Sequence, residues 1–156
     1  MERTETASLV ERLAGAPGRI AAATAGLTPE QLSTPPADGE WSALGVLAHI
    51  RACDDILSPR LVMMLVRDEP AMPVFDDRRW EQVMGYADSD FAELLAAYTF
   101  RRAELVRALR RLGPADLQRT GQLETRGSIV LANVLRMIME HEDEHCLQIE
   151  TLVGMV

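Results

Sequence analysis

Four segments of the chain carry apolar residues at the three- and four-residue spacing of an amphipathic helix. They cover about residues 7–25, 41–64, 90–112 and 128–153, and stretches containing proline and glycine separate them. No segment alternates apolar and polar residues between turn signals, so we assign no β-sheet. The pattern predicts an all-α fold, a four-helix bundle, in a single domain over residues 1–156.

Local signals place the helix ends. Ser42 is a typical N-cap for the second helix, and Asp90 with Glu93 three residues later resembles a capping box for the third. Pro59 lies inside the second pattern and predicts a kink. The run of glycine, alanine, proline and glycine at residues 15–18 predicts a break or kink in the first helix.

The longest connection, residues 67–89, joins the second and third helices. Pro70 and Pro73 favour an extended crossover there, and a short helix is expected around Trp80. Residues 118–127, which precede the fourth helix, are predicted to form a polar loop.

Composition narrows the class of protein. Sixteen arginines and no lysine stand against 24 acidic residues, a formal charge of −8, which argues against bulk binding to nucleic acid. The most apolar stretch, residues 129–139, is interrupted by Arg136 and is too short for the ~20 residues of a membrane span. The charged start predicts no secretion signal, and two cysteines without a CxxC spacing predict reduced thiols in a cytoplasmic protein.

The three histidines lie at positions from which they could form one site. His141 and His145 are four residues apart on the fourth helix, so they share one face with apolar neighbours and point into the bundle. His49 borders the apolar stripe of the second helix and can face the fourth. Three imidazoles from two helices would form a metal site with an open position, suited to zinc or nickel.

Other interpretations of these residues stay open. A histidine on an apolar face is often a packed, hydrogen-bonded residue, and a pair at this spacing also arises by chance. The letters of His141–His145 match the HExxH protease motif, but no further histidine follows in the sequence, so we do not predict a protease. The acidic run at residues 142–144 could be a solvated face, or Glu142 and Glu144 could support the site and raise the imidazole pKa values.

The two cysteines give no clear site. Cys53 follows His49 by one helical turn and could be a ligand or a nucleophile, but core packing is the favoured interpretation. Cys146 lies off the histidine face and is expected to be inert.

The chain resembles the DinB/YfiT-like superfamily of metal-dependent enzymes. The motifs that carry the resemblance are residues 27–32, Gly39-Glu40-Trp41-Ser42 followed by His49, residues 70–80, and His141-Glu142-Asp143-Glu144-His145 followed by Gln148-Ile149. The resemblance implies that His49, His141 and His145 bind a divalent metal ion, zinc or nickel. It also implies an up-down-down-up bundle and a homodimer.

The resemblance further suggests a reaction. Residues 70–80 are most similar to the bacillithiol-transferase branch, so we expect a divalent-metal-dependent thiol S-transferase acting on small electrophiles, with a low-molecular-weight thiol as cosubstrate. One alternative is a metal-dependent hydrolase of a small molecule. The other is a non-catalytic, metal-stabilised dimerising bundle.

Overall fold

The computed structural model describes residues 3–154, which form four long helices with short elements between them. In chain order the elements are α1 Arg3–Ala23, α2 Pro29–Ser33, α3 Ala43–Val66, β1 Ala71–Met72, α4 Asp77–Met84, α5 Phe91–Leu109, β2 Thr120–Leu123, β3 Gly127–Val130 and α6 Leu131–Val153. The predicted bundle is confirmed, with α1, α3, α5 and α6 as its four helices.

Ion pairs show that α1 and α6 run in the same direction. Arg136 near the start of α6 pairs with Glu5 at 2.6 Å, and Arg19 near the end of α1 pairs with Glu150 at 2.9 Å. Residue numbers therefore rise together along the two helices.

The other two long helices run the opposite way. Ala43, at the start of α3, and Leu152, near the end of α6, line one cavity. Arg110, just after α5, pairs with Glu11 of α1 at 2.9 Å, whereas Thr99, nearer the start of α5, shares a groove with residues 17–18 further along α1. The order is up-down-down-up, as the resemblance implies. Because α3 and α5 are parallel, the chain between them must return along the bundle, which explains the long connection.

A small sheet is the main departure from the sequence prediction. β1 pairs with β2 in parallel, and β2 pairs with β3 as an antiparallel hairpin closed at Gly127, whose φ is 70°. The strands have two to four residues, too short for an alternating pattern to be read in the sequence. The assignment of no sheet was wrong, and the predicted loop at residues 118–127 contains β2.

The helix boundaries agree better with prediction. The Ser42 hydroxyl accepts a hydrogen bond from the Gly45 N–H at 3.1 Å, and the Asp90 carboxylate accepts one from the Glu93 N–H at 3.0 Å. However, α1 continues through Pro17, so the predicted break does not end that helix. Its apolar face is buried in the bundle, and tertiary packing of this kind outweighs local helix propensity.

The described residues bury two apolar clusters. One lies toward the sheet and includes Leu13, Leu61 and Leu135, and the other lies toward the opposite end and includes Val46 and Ile149. Within residues 3–154, no helix combines the length and apolar character needed to cross a bilayer.

Candidate metal centre

All three histidines meet between α3 and α6. His49 is 7% exposed and lies in the second turn of α3, while His141 and His145 occupy successive turns of α6. Because α3 and α6 are antiparallel, the first half of α3 faces the second half of α6. The four-residue spacing then directs both α6 imidazoles toward His49.

The imidazoles of His49 and His141 are close enough to share one ion. The Nε2 atoms of His49 and His141 are 3.2 Å apart. Two nitrogens bound at ~2.0–2.1 Å to one tetrahedral ion would be about 3.3 Å apart. The ring of His145 has its centroid 4.8 Å from that of His49 and 4.5 Å from that of His141. Among the described residues, the group whose donor atoms all lie within 4.8 Å of one another consists of His49, Cys53 and His141 and does not include His145. The nitrogens of His49 and His141 therefore fit a divalent ion of the zinc or nickel type, and the ring of His145 lies beside them.

Outer contacts orient two of the imidazoles. The Nδ1 atom of His49 is 3.4 Å from the Asp77 carboxylate, and the Nδ1 atom of His145 is 2.8 Å from Gln148 Oε1. An acceptor beside Nδ1 favours the tautomer that carries its proton on Nδ1. Nε2 of each ring is then free to bind a cation.

Asp77 reaches the site because the crossover is anchored on α3. The Trp80 indole N–H donates to the Asp55 carboxylate at 3.3 Å, and the Tyr86 hydroxyl donates to the same oxygen. Asp77 begins α4, directly after its N-cap Asp76. Sequence reasoning missed Asp77, and only its place in the crossover segment points to it.

An aromatic ring and a guanidinium lie beside the imidazoles. The Trp41 ring lies 5.0 Å from the His49 ring and 6.0 Å from the His145 ring, measured between centroids. The guanidinium of Arg78, an exposed residue, lies 4.9 Å from the Trp41 ring centroid. This arrangement is a cation–π contact that holds a positive charge beside the imidazoles.

The imidazoles of His49 and His141 are kept neutral. Burial, together with the neighbouring His145 and His49, lowers the pKa of His141 to about 4. Burial also lowers the pKa of His49, with His145 adding to this effect and Asp77 opposing it. The expectation that local carboxylates raise these pKa values was wrong, because the acidic run on α6 points elsewhere. Neutral imidazole is the form that binds metal.

In the acidic run at residues 142–144, Glu142 and Asp143 form ion pairs with neighbouring helices. Glu142 is 4% exposed and forms an ion pair with Arg102 of α5, while Asp143 pairs with Arg12 and Arg19 of α1. Glu144 is exposed. The hypothesis that Glu142 supports the metal site is not what the structure shows, since its partners lie on α5.

Cys53 lies inside the site. Its Sγ is 3.5 Å from His49 Nε2, and the donor atoms of His49, Cys53 and His141 all lie within 4.8 Å of one another. The sequence predicted that Cys53 packs in the core. The side chain is buried as expected, but its neighbours are polar groups. Burial, together with Asp77, raises the pKa of this thiol to about 12. Cys146 agrees with its expected inertness, since it is buried and donates to the Ala16 carbonyl.

Comparison with known proteins places this site in a family. YfiT of Bacillus subtilis, named "Putative metal-dependent hydrolase YfiT", is 24% identical over 144 residues, covering 92% of this chain and 81% of that protein. A protein of Oceanobacillus iheyensis with the same kind of name is 26% identical over 128 residues, covering 81% and 73%. A third, from Geobacillus thermodenitrificans, is 36% identical over 64 residues, or 41% of this chain and 36% of that protein.

The fold also has a solved counterpart. The structure of Bacillus subtilis YfiT, described as a probable metal-dependent hydrolase with an unusual four-helix bundle topology, superposes with a TM-score of 0.87 at 23% identity. The match covers 97% of this chain and 87% of that one. Residues 12–149 match the model of the DinB superfamily. The chain belongs to the DinB superfamily.

Proposed function

We propose that the protein is a divalent-metal-dependent enzyme that transfers a low-molecular-weight thiol to a small electrophile. The observation that carries this proposal is the convergence of three imidazoles from α3 and α6, with two Nε2 atoms 3.2 Å apart. In this proposal His49, His141 and His145 hold the ion. A divalent ion held there would lower the pKa of a thiol or water bound to it.

Three residues around the histidines, Trp41, Asp77 and Arg78, have distinct tasks in this scheme. Asp77 holds the proton of His49 on Nδ1 and so keeps Nε2 directed at the site. Arg78 and Trp41 bind the organic part of the cosubstrate, because bacillithiol and glutathione carry carboxylates that a guanidinium can pair with. The thiol sulfur forms a bond to the electrophilic carbon, the leaving group departs with the bonding electrons, and the thiol proton passes to solvent.

Metal content and thiol dependence test this proposal. The protein is loaded with zinc or nickel and assayed with 1-chloro-2,4-dinitrobenzene and bacillithiol, mycothiol or glutathione, and chloride release and the S-adduct are measured. We expect turnover that needs both metal and thiol, and that His141→Ala abolishes. Glu144→Ala is the matched control, since this exposed residue lies on the same helix. Failure to bind a divalent metal, or turnover indifferent to added thiol, would refute the proposal.

A hydrolase is the second candidate, and the names of the relatives favour it. In that case the same three histidines would hold an ion that activates water. Metal-dependent cleavage of p-nitrophenyl acetate that requires His141 and proceeds without thiol would support the hydrolase over the transferase. Metal-induced stabilisation without turnover in either assay would instead support the non-catalytic bundle.

Two further features belong to this proposal. We propose a small-molecule substrate and a homodimeric assembly in the cytoplasm. Light scattering coupled to size-exclusion chromatography measures the mass directly: twice the 17.3 kDa of one chain supports a dimer, and 17.3 kDa overturns it.

A further inference from the structure

The Cys53 thiol lies among groups that bind metals. Cys53 follows His49 by one turn of α3, and its side chain is directed at the same space as the imidazoles. Its Sγ is 3.5 Å from His49 Nε2, and its separation from the donor atom of His141 is under 4.8 Å. The sulfur also donates a weak hydrogen bond to the Asp77 carboxylate at 3.7 Å.

These distances fit a single tetrahedral ion. A nitrogen bound at ~2.0–2.1 Å and a sulfur bound at ~2.3 Å to the same tetrahedral centre would be about 3.5 Å apart. The observed separation of Cys53 Sγ and His49 Nε2 is 3.5 Å. The two imidazole nitrogens, 3.2 Å apart, fit the same centre.

Packing alone does not account for this position. Cys53 is 8% exposed, yet among the described residues neither of the two apolar clusters includes it. Cys146, by contrast, belongs to the cluster around Val46 and Ile149 and lies against a backbone carbonyl of α1. The two cysteines are thus equally reduced but chemically different, which makes Cys146 a matched control.

We propose that Cys53 is a sulfur ligand of the metal centre, completing a four-donor set with His49, His141 and His145. A thiolate makes the site softer, so it favours zinc, cobalt or nickel over magnesium, calcium or manganese. Four protein donors also fill a tetrahedral shell. An incoming nucleophile must then displace the Cys53 sulfur or bind as a fifth ligand, so Cys53 controls access to the ion.

This inference does not rest on the proposed reaction, and its test uses spectroscopy rather than turnover. The full chain is freed of metal and loaded with one equivalent of Co²⁺, and its near-ultraviolet absorption is recorded. We expect a thiolate-to-cobalt charge-transfer band in the wild type and in Cys146→Ser, and its loss in Cys53→Ser. Zinc affinity, measured by chelator competition, should fall at least about tenfold in Cys53→Ser.

A second measurement needs no variant and covers the case in which Cys53→Ser does not fold. Zinc-edge X-ray absorption of the wild type should show one sulfur at about 2.3 Å together with nitrogen ligands at ~2.0–2.1 Å. A first shell of nitrogen and oxygen alone, or a cobalt band that survives in Cys53→Ser, overturns the assignment. Either result leaves the proposed reaction standing, because that proposal needs only the three histidines.

Discussion

Glu142 tests whether the acidic run on α6 serves the bundle or the metal. Its carboxylate is 4% exposed, accepts a hydrogen bond from the Tyr98 hydroxyl at 2.8 Å and pairs with Arg102. Arg102 is 1% exposed and also contacts Asp54 of α3 at 3.1 Å. This buried polar group links α3, α5 and α6, although it directly follows His141 in the sequence.

The cost of removing Glu142 follows from this burial. Breaking a buried ion pair by deleting one partner costs ~3–5 kcal/mol, because a charge is left behind without compensation. Arg102 keeps Asp54, so we expect Glu142→Ala to lose about 3 kcal/mol of unfolding free energy, near the lower end. For a chain of this size that corresponds to a fall in Tm of roughly 6–12 °C.

The assay combines urea unfolding, followed by circular dichroism, with zinc affinity measured by chelator competition. Glu142→Ala should lower stability and leave the zinc affinity of the folded protein within a few-fold of the wild type. Glu144→Ala, an exposed change two residues away, should alter stability by less than about 0.5 kcal/mol. A loss below about 1 kcal/mol in Glu142→Ala, or a tenfold fall in its zinc affinity, would refute the separation of the two roles.

Three further predictions follow from the geometry. Folding lowers the pKa of His141 from its ordinary 6.5 to about 4, so between these pH values the unfolded chain binds a proton that the folded protein does not. The free energy of unfolding of the metal-free protein should therefore fall as the pH drops from 6.5 toward 4. The full loss is at most about 3 kcal/mol, and His141→Gln should remove it from urea titrations across that range. Asp77→Asn should weaken zinc binding about 10–100-fold by loosening His49, with little change in metal-free Tm because the Asp77 side chain is 43% exposed; an unchanged affinity would exclude this role. Gly121→Ala should destabilise by roughly 1–3 kcal/mol in urea unfolding, because its Cβ would lie 2.6 Å from Met72 Cε; a neutral change would mean that the methionine moves freely.

Much of the fold follows from local information. The caps at Ser42 and Asp90 and the helical spacing of the apolar residues are short-range signals, so α3 and α5 begin where the sequence indicates. The strands could not be anticipated in the same way. β1 pairs with a strand about fifty residues further along the chain, and so few residues show no periodicity of their own.

The site also combines features that local spacing predicts with features that only the tertiary structure sets. The spacing of His141 and His145 fixes their shared face, since a four-residue separation on a helix leaves no other arrangement. Asp77 could not be placed from its spacing to any histidine, because the folding of the crossover over α3 brings it there. Cys53 shares a face with His49 by spacing, but its role depends on how close the two helices come.

The sequence by itself determined four long helices, the caps at Ser42 and Asp90, and the inward face shared by His141 and His145. These depend on the regular geometry of the helix, which sequence spacing reports directly. Tertiary structure decided which faces meet. Only the antiparallel packing of α3 and α6 brings Cys53 and His49 to His141, and only the packing of α5 against α6 gives Glu142 its partner Arg102, because distances between helices depend on the packing of the whole interior.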